Sequence, residues 1–162
     1  MENVTFWRLV KERYALTAFD GYGARSFGGR WNSPGHECVY LGESKALCVL
    51  ETLVHLEIED IAKGYCFLTL DVPRNLIATL DLTALPADWK ADPPPVSTQH
   101  IGDNWLASTK NGLVLRVPST ITGEWNALFN PEHPQAAKVL KSVKSEPFML
   151  DPRSEEHTSE LQ

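Results

Sequence analysis

The sequence predicts a single α+β domain, and three observations lead to it. Its 162 residues suit one hydrophobic core rather than two. Many short β-branched and aromatic runs are separated by turn residues, and the two long helical stretches do not alternate with them as a doubly wound fold requires. Apolar residues make up 43% and charged residues 22%, ordinary values for a soluble chain whose core needs no staples.

Residues 5–10 are β-branched and aromatic and read as a strand that carries Arg8. Residues 20–36, DGYGARSFGGRWNSPGH, are rich in Gly, Asn, Ser and Pro, which predicts one long loop with Arg30 and Trp31 near its centre. Loops of that length inside a compact domain are more often functional than idle. Residues 38–41 form the strand that leaves it. Ser44 suits an N-cap for a helix over 45–59. Ala46, Leu47, Val49, Leu50, Leu53, Val54, Leu56 and Ile58 cover more than half of its circumference, so this helix is expected to be substantially buried. Glu51 and His55, four apart, share one face of it. A carboxylate amid so much apolar surface requires a partner, a bound proton, or a cavity that admits solvent or substrate.

Residues 65–72 and 76–80 read as strands divided by the turn Pro73-Arg74-Asn75. Residues 84–98 hold four prolines, three of them consecutive, and are expected to be an extended connection. A helix over 99–110 stops at Asn111-Gly112. Strands follow at 113–117, ending in Pro118-Ser119-Thr120, and at 125–129, closed by Asn130-Pro131. A short helix over 135–141 and a last strand over 148–150 complete the domain, residues 1–150. Residues 151–162 have no apolar face and read as a disordered tail that need not be native to the gene.

Composition narrows the function. A net charge of −6 argues against direct nucleic-acid binding, although one or two arginines suffice for a small anionic ligand. Cys38, Cys48 and Cys66 form no CxxC pair and are odd in number, which suits reduced thiols of a cytoplasmic protein. No signal peptide is expected from MENVTFWRLVKER, and no apolar run approaches the ~20 residues that span a bilayer. Gly21-Tyr22-Gly23 begins like a dinucleotide fingerprint, but Ser26 stands where its third glycine belongs. There is no phosphate-binding GxxxxGK[ST] loop. His36, Cys38 and His55 match no zinc spacing, so no metal is expected.

Four polar residues remain: Arg30, Tyr40, Glu51 and Ser119. Singly, each has a structural explanation: a surface ion pair, a core aromatic, a partner for Arg8 or Arg30, a turn cap. Together, the run GGRWNSPGHECVYLGESKALCVLETLVHLE and the later LVLRVPSTITGEWNALFNPEHP resemble the two signatures of the RES domain, and the resemblance spans residues 5–150. It implies an ADP-ribosyltransferase-like domain with short strands in a split β core flanked by helices. It also implies the toxin of a bacterial type II toxin–antitoxin pair, whose partner is an Xre-like helix-turn-helix antitoxin. Such toxins consume NAD by hydrolysis or phosphorolysis, and a few relatives modify a protein instead.

By position, the family's arginine, tyrosine, glutamate and serine fall on Arg30, Tyr40, Glu51 and Ser119. NAD is then a substrate, and no cofactor is implied. Glu51 is expected to stabilise positive charge on the ribose, and Arg30 to grip the pyrophosphate bidentately. Gly28 and Gly29 would let the backbone approach it. Tyr40 would offer a flat face and a hydroxyl, while Ser119 would contact the ribose or orient Glu51. Arg8, His55 and Asn130 are further candidates for substrate contact, His55 equally a support for Glu51. The alternatives are an ADP-ribosyltransferase acting on a protein, a non-catalytic nucleotide- or antitoxin-binding module, and a structural protein with a chance pattern. Homodimerisation is left open.

Overall fold

The computed structural model describes residues 2–61 and 63–149. Its strands are β1 (Asn3–Lys11), β2 (Val39–Gly42), β3 (Tyr65–Pro73), β4 (Ile77–Thr79), β5 (Val114–Pro118), β6 (Trp125–Phe129) and β7 (Lys144–Pro147). Its α-helices are α1 (Tyr22–Phe27), α2 (Lys45–Leu53), α3 (Ile58–Ile61), α4 (Val96–Leu106) and α5 (Ala136–Leu140). The strands form one sheet in the order β4-β5-β6-β2-β1-β3-β7, antiparallel except for the β4–β5 pair. This is the expected α+β architecture.

The sheet nearly divides in two. β1 pairs with β3 along its whole length, from Asn3↔Pro73 to Lys11↔Tyr65. On its other side β1 meets β2 at a single position, Trp7↔Gly42. Diverging strands leave backbone groups without ladder partners. Arg8 fills part of the gap, donating from Nη1 to the Tyr40 carbonyl at 2.8 Å. At the contact itself, a Cβ on Gly42 would lie 2.9 Å from Cys48 Sγ, so glycine is what lets α2 cover the seam.

Side chains alternate across the sheet and feed two cores. Val114, Ala127 and Phe129 join Phe6, Leu41, Leu70 and α5 on one face. Leu115, Val117 and Leu128 join Trp31, Cys38 and Trp105 on the other. Burial on both faces explains why residues 113–117 are apolar at every position but Arg116.

Five details depart from the sequence expectation. The 20–36 loop contains α1, entered from Gly21 at φ +74° and left through Gly28 at φ +72°. The helix expected over 45–59 ends at Leu53, and α3 is separate. Nor is it substantially buried: Leu47 and Cys48 are, but Leu50, Val54, Leu56 and Ile58 are exposed. The helix lies across the seam, and Leu50, Val54 and Ile58 face solvent because no core stands opposite them.

The expected 84–98 connection is cut short because α4 begins directly after Pro95, whose extended backbone forms its N-cap. The final strand precedes its expected place. Phe148 instead follows it and packs edge-to-face on Phe67, with ring centroids 5.1 Å apart. The expected tail at 151–162, and Leu150, lie outside the described residues. Among those described, no helix is long and apolar enough to cross a membrane.

Candidate active site

A cleft of about 330 Å³ opens where β1 and β2 part, with α2 as its roof. Arg8, Tyr40, Glu51, His55 and Asn126 all line it. Glu51 is delivered by α2, whose N-terminus is fixed by Ser44: its hydroxyl accepts from the Leu47 N–H at 3.1 Å. Glu51 Oε1 accepts two hydrogen bonds, from Ser119 Oγ at 2.6 Å and from Asn126 Nδ2 at 2.7 Å. Ser119 follows β5 directly and is buried. Its oxygen also accepts from the N–H groups of Ile121 (3.1 Å) and Thr122 (3.4 Å). Its one proton is committed to Glu51 and its lone pairs to the turn, an arrangement that orients the carboxylate.

Arg8 is held differently. Beyond the bond to Tyr40, its Nε is buried with no partner, and no carboxylate pairs with it among the described residues. Burial holds its pKa below the ordinary arginine value. A guanidinium still keeps its charge in proteins, so it remains a half-buried cation facing a cleft.

Tyr40 lines the cleft, but its hydroxyl is engaged elsewhere. It donates to Asn32 Oδ1 at 2.6 Å and accepts from the Trp31 N–H at 3.1 Å, and burial pushes its pKa up. Asn32 in turn donates to the carbonyls of Ala24 and His36. Helix α4 clamps the same loop: Thr98 Oγ1 donates to the Arg30 carbonyl (2.7 Å), Gln99 Nε2 to the Gly29 carbonyl (3.0 Å), and Asp103 accepts from Ser33. Gly102 allows the contact, since a Cβ there would fall 1.5 Å from the Trp31 carbonyl oxygen. The Gly-rich segment is therefore held in place.

The remaining candidates are distributed around this centre. Arg30 is outside the cleft lining, with Nη1 donating to the carbonyls of Trp89 (2.9 Å) and Ala91 (2.8 Å). The side of Gly29 is occupied by Tyr40, whose hydroxyl oxygen would lie 2.5 Å from an added Cβ, and Gly28 abuts Pro34. Asn130 is buried on a second concavity, where its Oδ1 accepts from the Glu132 N–H at 3.1 Å. His55 is exposed at the cleft without a bond to Glu51. Cys48 forms part of the wall and donates to the Trp7 carbonyl at 3.3 Å, and burial pushes its thiol up to about 11.

Sequence reasoning missed Asn126. Its signal was an asparagine, a poor strand former, inside the strand WNALF.

The RES domain profile matches residues 5–151. The chain belongs to the RES domain family. It is 38% identical over 148 residues to "Toxin Res" of Yersinia enterocolitica serotype O:8 / biotype 1B, an alignment covering 91% of this chain and 97% of the relative. It is 36% identical to "Toxin Res" of Photorhabdus laumondii subsp. laumondii, covering 91% and 94%. It is also 36% identical to "Prs ADP-ribosylating toxin" of Sphingobium sp., covering 92% and 95%. Arg30, Tyr40, Glu51 and Ser119 all fall within the family match.

Proposed function

We propose that this RES-domain chain is the toxin of a bacterial type II toxin–antitoxin pair and cleaves the nicotinamide–ribose bond of NAD. The observation that carries the reading is the pairing, in one cleft, of a carboxylate fixed by two donors with a half-buried cation that makes no salt bridge among the described residues.

The nicotinamide ring of NAD is already cationic and leaves as a neutral molecule, so its departure needs no acid. The glycosidic electron pair goes to the pyridinium nitrogen, and positive charge builds on the ribose. A fixed carboxylate in a sheltered wall stabilises that charge more in the transition state than in the ground state. Glu51 suits this role, and it can orient the water or inorganic phosphate that then bonds to the ribose carbon. Arg8 offers the pyrophosphate a partly desolvated cation whose Nε has no partner among the described residues, and anion binding would compensate it. Arg30 lies outside the cleft lining with Nη1 on two carbonyls, which leaves its other N–H groups for a part of the substrate that reaches past the cleft. With its hydroxyl engaged, Tyr40 offers the substrate its ring.

The partner expected of such a toxin is an Xre-like helix-turn-helix antitoxin, which would carry any DNA contact. The cytoplasm, where the NAD pool lies, is the expected compartment. The test is nicotinamide release from NAD by the purified, antitoxin-free chain, with and without inorganic phosphate, beside Glu51→Gln. Release by the wild type alone supports the reading, and phosphate dependence names the acceptor. No release by the folded wild type overturns it.

The printed name of the Sphingobium relative favours a second reading, in which the same cleft passes ADP-ribose to a protein. Adenylate label from NAD that becomes covalently attached to protein, in place of free ADP-ribose, would support it.

A further inference from the structure

We infer that Asn126 is a positioning residue for this reaction, one that fixes the plane of Glu51 so that Oε2 is the oxygen presented to the substrate. The inference rests on the NAD-cleaving reading above. Both donors to Glu51, Ser119 at 2.6 Å and Asn126 at 2.7 Å, converge on Oε1. Among the described residues Oε2 accepts none.

The terminal torsion of a glutamate is soft and roughly two-fold, so a carboxylate held at one point still swings. A second donor from another direction removes that freedom. The two donors come from adjacent antiparallel strands: Asn126 lies opposite Val117 on β5, and Ser119 directly follows that strand. The clamp therefore has the rigidity of a sheet ladder.

The residue type fits the task. Asparagine supplies an N–H donor without charge, whereas an aspartate would set a second carboxylate against the first. Gly42 is its partner on β2, and the absence of a long side chain there leaves the Asn126 amide room to turn toward Glu51. An asparagine in mid-strand is otherwise a poor choice. Beyond the bond to Glu51, its amide has no partner among the described residues, so this bond is its recorded work.

The test compares Asn126→Asp and Asn126→Ala with the wild type by steady-state nicotinamide release between about pH 5 and pH 8, with thermal melting as the control for folding. N126D keeps the shape, but its side chain can donate to Glu51 only when protonated. At the alkaline end its kcat should fall by about tenfold to a hundredfold, as for the loss of a charge-assisted hydrogen bond, with KM within about threefold. Its activity relative to wild type should climb as the pH falls. N126A, which introduces no charge, should lose a similar factor in kcat at every pH, again with little change in KM.

A pH-independent ratio for N126D would overturn the assignment, as would losses confined to KM or proportional to a fall in Tm. If N126D does not fold, the kcat-against-KM split of N126A decides alone. A folded wild type that releases no nicotinamide overturns the cleavage reading and this inference with it. Wild-type release with unaffected variants overturns only this inference.

Discussion

The β5–β6 wall of the cleft and its β1 wall hold charge in opposite ways. On the first, Glu51 arrives with its hydrogen bonds made, one oxygen taken by Ser119 and Asn126. On the second, Arg8 spends one N–H on the Tyr40 carbonyl and keeps Nε buried with no partner among the described residues. Orientation made in advance costs nothing during the reaction, which suits a group acting on a transition state. A half-buried charge with no salt bridge among the described residues suits a group that waits for a ligand, because the ligand's arrival relieves its partial desolvation. The difference separates a residue for rate from a residue for affinity.

Glu51→Gln should break that comparison most severely. Nicotinamide release should fall by on the order of a hundredfold or more while NAD affinity stays within a few-fold. Wild-type rates in that variant would remove Glu51 from the mechanism. Arg8→Met should do the reverse, with affinity falling by about tenfold to a hundredfold and urea-unfolding stability moving by no more than about 1 kcal/mol. Unchanged affinity by calorimetric titration would end the anion-binding role.

A smaller effect is expected from Tyr40→Phe. It leaves Asn32 Oδ1 and the Trp31 N–H without their partner, which should cost about 1–3 kcal/mol in denaturant unfolding. A stability equal to wild type would mean that the Gly-rich loop is held by α4 alone.

The smallest effect concerns Cys48 at the seam. Its thiol is pushed up to about 11 by burial, so the neutral, unreactive form persists through neutral pH. Alkylation of Cys48 by iodoacetamide, followed by mass spectrometry, should be slower than for a free cysteine and should accelerate as pH rises toward that value. Rapid modification at pH 7 would mean that β1 and β2 separate readily.

Much of this was legible in the sequence, for identifiable reasons. β6 lies where its aromatic and apolar run placed it, and Ser44 caps the helix it was expected to cap. Glu51 and Ser119, 68 positions apart in sequence, do meet in space. What could not be read was register. The placement of Arg8 in the cleft follows from β1 and β2 touching at one pair, which no local pattern encodes. The apolar residues of α2 misled for the same reason, since periodicity reports which side chains are apolar and not whether a core stands opposite them. α1 was hidden because a short helix between Gly21 and Gly28 shares its composition with a loop. Arg30 and Gly29 carry motif weight, but in the fold their nearest partners are loop carbonyls and Tyr40.

The point where the two halves of the sheet touch also bears on descent. Gly42 sits opposite Trp7, and Cys48 fills the place where its side chain would begin, 2.9 Å away. Neither position can drift alone: bulk gained at 42 must be surrendered at 48. Across diverging relatives the two sites should therefore change as a pair, a small residue at one licensing a larger residue at the other.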